Sequence, residues 1–141
     1  MPPKQSRMQN NIRNNIETKI NQKLSDAEFQ QFSQYLKPLK IEKKDILVTE
    51  GKVCSHIYFV EKGILHSFVI NTNGESHTVQ FGFEGHWISD LYSFLSQKPA
   101  IFNIEALEQT EILAISNIDF EKACCEIHKF EHFSDENYAM A

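Results

Sequence analysis

Ser67-Phe68-Val69-Ile70-Asn71-Thr72-Asn73-Gly74-Glu75-Ser76-His77-Thr78-Val79-Gln80-Phe81 is the stretch that decides the fold class. Runs of β-branched and aromatic residues flank Asn73-Gly74, a pair suited to a type I′ turn because both central residues of that turn need positive φ. A hairpin is the expected result. Similar short runs recur on either side at intervals of about 8–12 residues, with Gly51, Gly63 and Gly85 marking further sharp turns. The pattern predicts strands over 39–43, 45–49, 56–61, 64–71, 76–82, 101–108 and 111–115. Seven or eight short strands fit a sandwich or a rolled barrel.

Helical signals lie at both ends of this β region. Met8, Ile12, Ile16, Ile20 and Leu24 recur every four residues with polar residues between them, which is one apolar stripe of a helix. Ser25 and Glu28 form a capping box that starts a second helix, predicted from Asp26 to about Lys37 and stopped by Pro38. Asp90-Leu91-Tyr92-Ser93-Phe94-Leu95 is a short helix inside the β region, ending before Pro99. A last helix is predicted from Asn117 to about Phe133, with Ile118, Phe120, Ala123, Ile127 and Phe130 apolar.

Composition excludes several classes. The chain has 141 residues, of which 41% are hydrophobic. A domain of this size buries roughly 68–70% of the surface that its unfolded form exposes, so it needs neither disulfides nor metals for a core. A net charge of −5 argues against a free-standing nucleic-acid binder, which needs a concentrated basic face. Lys4, Arg7, Arg13, Lys19 and Lys23 outnumber Glu17 near the start, and this excess reads as the solvated side of the first helix. No apolar run approaches the roughly 18–20 residues of a membrane span, and no secretory signal opens the chain, so a cytoplasmic location is expected. Cys54, Cys124 and Cys125 read as reduced thiols. His128 and His132 alone have a zinc-like spacing and read as two positions on one helix face, so no metal is expected.

A set of motifs then adds to this reading. Glu50-Gly51, Ile57-Tyr58-Phe59-Val60-Glu61-Lys62-Gly63, Asn73-Gly74 and Phe83-Glu84-Gly85-His86-Trp87-Ile88-Ser89-Asp90-Leu91 together resemble the cyclic-nucleotide-binding roll of Crp/Fnr-type transcription regulators. The resemblance covers about residues 24–133 and is closest to a Bacteroidetes-type subgroup. Ser93-Phe94-Leu95 and Phe102-Asn103-Ile104-Glu105-Ala106-Leu107-Glu108 carry the subgroup likeness. The fold it implies is mainly β with flanking helices: a double-stranded β-helix, or jelly roll, with N-terminal helices and a C-terminal helical segment. The organisation expected is an amphipathic helix over 1–23, the roll over 24–133, and a tail over 134–141 that is either unrelated or the start of a dimerisation helix. The family's winged helix-turn-helix is not in this sequence, so no direct DNA contact is expected, and a homodimer is an expectation carried by the resemblance alone.

The resemblance also implies a ligand site, which can be compared position by position. In members that bind cyclic AMP, a Gly-Glu-Leu sequence opens a short helix, its Glu holds the ribose, and an Arg about ten residues later neutralises the phosphate. Here Ser89-Asp90-Leu91 takes the first place, and Ala100 and Ile101 stand where Arg and Ser are usual. A charge-assisted hydrogen bond is worth roughly 1.5–3 kcal/mol, so loss of the cation costs at least an order of magnitude in affinity. Lys98 is the nearest substitute, but it lacks a planar fork and Pro99 limits its loop. Asp90 is a methylene shorter than Glu and reads better as an N-cap. Cyclic AMP is therefore not the expected ligand. The remaining pocket is expected to be apolar, with Trp87, Leu91, Ile101 and Phe102 facing inward, and it fits either a less charged small-molecule effector or plain packed core.

Other chemistries are weaker. No cofactor is expected: three cysteines in this arrangement cannot ligate an iron–sulfur cluster, although Cys124-Cys125 would suit an oxidation sensor if they were not simply structural. A cupin-type metal enzyme shares the rolled topology but needs a His-x-His pair, whereas His56, His66, His77 and His86 stand about ten residues apart. The Gly-x-Ser-x-Gly elbow is absent, so the chain is not expected to be an enzyme. A ligand-free oligomerisation or docking module is the third reading.

Overall fold

A computed structural model describes residues 3–130, and side chains from residue 11 onward. Two helices, α1 (Pro3–Ile20) and α2 (Asp26–Ser33), precede the strands β1 (Lys37–Ile41), β2 (Ile46–Val48), β3 (His56–Lys62), β4 (Leu65–Ile70), β5 (Ser76–Gly82) and β6 (Trp87–Ile88). Then come α3 (Leu91–Ser96), β7 (Asn103–Ala106), β8 (Thr110–Ser116), α4 (Asn117–Glu126) and a 3₁₀ turn, His128–Phe130. The strands form two four-stranded antiparallel sheets, ordered β1-β8-β3-β6 and β2-β7-β4-β5. This is the expected jelly roll with flanking helices.

Two cores sit on opposite faces of the first sheet. Tyr58 and Val60 of β3, with Ile112 and Ala114 of β8, point between the sheets and meet Val48, Leu65, Ile88, Ile104 and Ala106. The alternating residues Ile57, Phe59, Leu113 and Ile115 point outward and are covered by Ile12 and Ile16 of α1, Phe29 and Phe32 of α2, and Phe120 and Ala123 of α4. Strands buried on both faces lose the polar alternation that usually marks a strand, which is why Ile57-Tyr58-Phe59-Val60 reads as one apolar run. Phe32 and Phe130, both fully buried, meet edge to face with centroids 5.1 Å apart. Burying a side chain of this size stabilises the fold by about 1.5–3 kcal/mol.

Local chemistry sets the ends of the elements. At α2, Ser25 Oγ accepts from the Glu28 amide at 3.1 Å and Glu28 Oε1 accepts from the Ser25 amide at 2.8 Å, the expected capping box. The helix ends at Ser33, not near Lys37, and Pro38 lies within β1 opposite Leu113. An edge strand tolerates proline because one of its sides carries no ladder. The hairpin forms, but not with a type I′ turn: only Gly74 of the Asn73-Gly74 pair has positive φ, at 82°. The loop is held instead by Asn71, whose Oδ1 accepts from the amides of Asn73 and Glu75, both at 2.9 Å.

Three further expectations need correction. The two-residue β6 is not among the strands expected from the sequence, and it pairs Ile88 with Tyr58. The strand expected over 101–108 is confined to Asn103–Ala106, because the amides of Ile101 and Phe102 donate to a side chain instead of a ladder. The last helix stops at Glu126, where Ile127 is extended (φ −108°, ψ 104°) before the 3₁₀ turn. Its expected continuation over 131–133, His132 and the 134–141 tail lie outside the described residues.

Candidate functional site

The corner between β6, α3 and the loop leading to β7 holds the expected site residues. Ser89 Oγ donates to the carbonyl of His56 at 2.8 Å and lies 3.4 Å from Cys54 Sγ. Asp90 follows as the N-cap of α3, with extended backbone (φ −91°, ψ 93°) and no exposed surface. Its Oδ1 accepts from the Ser93 amide at 3.0 Å, and its Oδ2 from the amides of Ile101 at 2.7 Å and Phe102 at 3.0 Å. Three backbone N–H groups thus converge on one buried carboxyl group. The helix closes at Gln97, whose left-handed backbone (φ 59°, ψ 27°) places its amide 2.7 Å from the Ser93 carbonyl.

Ser93 is the residue that sequence reasoning missed. Buried completely, its hydroxyl donates to the Lys98 carbonyl and accepts from the Cys54 amide at 2.7 Å, so it ties α3 to the loops on both sides. The available signal was its place three residues after an N-cap Asp. Ala100 is 3% exposed and belongs to the core between the sheets. Its amide donates to the Lys52 carbonyl at 2.8 Å, and its carbonyl accepts from Gly51 at 2.9 Å. The position where the resemblance implies a phosphate-pairing Arg is therefore a small apolar plug. Lys98 is exposed.

The expected apolar lining does not assemble. Trp87 and Leu91 pack against the helix-side core, not the interior of the roll. Trp87 meets Phe59 edge to face at 5.1 Å, and its Nε1 donates to Asn15 Oδ1 of α1 at 2.7 Å. The strand alternation that turns Ile88 inward turns Trp87 out. Ile101 is 50% exposed and Phe102 half-buried. Of the eight residues read as pocket candidates, Asp90 meets Ile101 and Phe102 through their backbone amides, Ser89 bonds the His56 carbonyl, Ala100 packs in the core between the sheets, Trp87 and Leu91 pack on the helix-side core, and Lys98 is exposed.

Among the described residues, no three His, Cys, Asp or Glu side chains are arranged as a metal site. His66 uses both ring nitrogens on neighbouring strands, with Nδ1 3.0 Å from Thr78 Oγ1 and Nε2 2.8 Å from Glu105 Oε1. Cys54 is buried, Cys124 half-buried and Cys125 exposed, and burial pushes the Cys124 thiol up to about 12, far from the reactive range. Surface clefts of 570 Å³ at the end of α1 and 390 Å³ on α4 include no residue of the α3 corner.

Two four-stranded antiparallel sheets with flanking helices define a jelly roll. Residues 38–126 match the cyclic nucleotide-binding domain model, and the chain belongs to that family. No curated protein matches the sequence. A cyclic nucleotide-binding domain from Methylobacillus flagellatus is similar in structure, at TM-score 0.80 and 15% identity over 95% of this chain and 75% of that one. The sensor domain of the transcriptional regulator DNR from Pseudomonas aeruginosa gives TM-score 0.78 and 11% identity, covering 99% and 91%. The Thermus thermophilus catabolite activator protein gives TM-score 0.74 and 18% identity over 86% of this chain, which spans only 57% of that longer protein. No helix among the described residues is long and apolar enough to cross a membrane.

Proposed function

We propose that this chain is the regulatory, non-catalytic effector domain of a Crp/Fnr-type transcription regulator that does not take cyclic AMP. The observation that carries the reading is the Asp90 carboxyl group, which already holds the amides of Ser93, Ile101 and Phe102. In relatives that bind the nucleotide, the resemblance implies a phosphate and a guanidinium at this corner. Here a side chain of the protein uses the donors, and Ala100 supplies no counter-charge. An incoming phosphate would have to displace a buried, fully hydrogen-bonded group and then remain unpaired, both of which cost free energy. The family match and the Trp87-Ile88-Ser89-Asp90-Leu91 pattern support the regulatory role. A net charge of −5 argues against operator contact by the roll itself, so such contact is the task of another part of a cytoplasmic, homodimeric regulator.

A thermal-shift titration tests this reading. A ligand at a hundred times its Kd stabilises by about 2.7 kcal/mol, several degrees for a domain of this size. The expected result is no shift with cyclic AMP or cyclic GMP. A saturable shift with either nucleotide overturns the proposal, and a shift with an uncharged metabolite identifies the effector class.

A further inference from the structure

Glu61 stands apart from the α3 corner and has no role in it. It is 3% exposed, and neither of its carboxyl oxygens has a hydrogen-bond partner. It falls where the β3–β8 register slips: Val60 pairs with Ile112 and Lys62 with Glu111, which leaves Glu61 as the extra residue of a bulge. The charged groups acting on it are Glu111 of β8 and Glu84 of the turn before β6, both acidic. A buried carboxylate without a cation or a donor is costly, so the surroundings favour the neutral form of this group.

The residue before it is a junction. Val60 accepts from the Gly85 amide at 2.8 Å and donates to the His86 carbonyl at 2.9 Å, fixing the turn Phe83–His86 on β3. Asn15 of α1 donates through Nδ2 to the Gly85 carbonyl at 3.0 Å and accepts from Trp87 Nε1. The N-terminal helix, the turn and β6 are thus joined beside the strand residue that precedes this carboxyl group, whose burial disfavours the charged form.

We propose that Glu61 is a proton-controlled latch: while its carboxyl is neutral the Phe83–His86 turn and α1 stay closed over β3, and loss of the proton opens this corner of the roll. The carboxylate can reach water only if the bulge or the turn beside it moves, and either movement strains the two Val60 hydrogen bonds. Burial first, then Glu111 and Glu84, push the carboxyl up to about 7, which puts the transition in the physiological range. Two further titratable groups flank this segment. Lys62 is exposed on the same strand, and His86 is exposed with Nδ1 accepting from the Phe83 amide at 3.2 Å.

Trp87 is the single tryptophan of the chain and lies on the latch, so its fluorescence between pH 5 and 9 reads the opening directly. The intact chain should show one transition with a midpoint near 7. Glu61→Gln should abolish it, His86→Asn should keep it, and Glu84→Gln and Glu111→Gln should each move the midpoint to lower pH. The last two variants alter charge outside the buried position and keep the test informative even if Glu61→Gln folds poorly. A transition that persists in Glu61→Gln, is lost in His86→Asn, ignores Glu84 and Glu111, or is missing from the intact chain overturns the latch.

Discussion

Asp90 Oδ2 lies 2.7 Å from the amide nitrogen of Ile101, eleven residues further along the chain. This contact closes the loop before β7 onto the start of α3, and the same oxygen also accepts from Phe102. Asp90→Ala should therefore do more than remove a helix cap. The cap alone is worth about 1 kcal/mol, and each amide left buried without a partner adds roughly 1–3 kcal/mol. A loss of about 3 kcal/mol in urea unfolding is expected, and a loss below 1 kcal/mol would show that the loop bonds contribute nothing.

Placing a cation at position 100, where the resemblance implies an arginine, should not restore nucleotide binding. Ala100 is packed between the sheets, so Ala100→Arg places a long charged side chain in a closed core. Destabilisation of more than about 3 kcal/mol is expected from overpacking and burial of charge. Calorimetry with cyclic AMP should remain silent for the folded fraction, and measurable heat would indicate that the site reopens easily.

Two glycines separate steric from conformational cost. A Cβ on Gly63 (φ +106°) would lie 2.5 Å from Thr110 Oγ1 and 2.8 Å from Thr110 Cα, whereas one on Gly74 (φ +82°) meets nothing within 4 Å. Gly74→Ala should cost about 1 kcal/mol from backbone strain alone. Gly63→Ala should cost roughly 3 kcal/mol, since backbone atoms must also move. Equal melting temperatures for the two variants would contradict this account.

The pH dependence of stability follows from Glu61. Its folded-state pKa is raised above the ordinary carboxyl value, so the unfolded chain releases this proton first as pH rises. Its contribution is thus most favourable below about pH 4.5 and is lost progressively until the folded group titrates near 7. Glu61→Gln should be nearly neutral at pH 5 and stabilising at pH 8, by up to about 1.4 kcal/mol for each unit of the upward displacement. A gain at pH 5 equal to that at pH 8 would remove ionisation as the cause.

Asn15 provides a check on the junction that does not involve titration. Replacing it with Ala leaves the Gly85 carbonyl and Trp87 Nε1 without these partners, and a loss of about 1–3 kcal/mol is expected. Fluorescence of Trp87 should shift to longer wavelength as water reaches the ring. An unchanged spectrum would mean that α1 is held by its apolar stripe alone.

What could be read without coordinates was whatever local chemistry enforces. Ser25 and Glu28 satisfy each other's backbone within one turn, and Ile12 and Ile16 point the same way because the helix repeats every 3.6 residues. Asp90 as an N-cap and the mainly β class with flanking helices were legible for the same reason, whereas Ala100 standing in place of an Arg was implied by the resemblance alone. The tertiary structure alone decided how distant segments use these groups. Asp90 has spare acceptor capacity at any N-cap, and only the roll's closure brings the Ile101 and Phe102 amides to it. Trp87 turns to Asn15 of α1 and not to the interior because its neighbour Ile88 occupies the inward position. Nothing local in the sequence marks Glu61, and it is a buried, unpartnered acid at a bulge set by the long-range pairing of β3 with β8. Helix caps and periodicity involve residues within a few positions, whereas burial and pairing depend on contacts tens of residues apart, and that difference in range separates what this sequence states from what its fold decides.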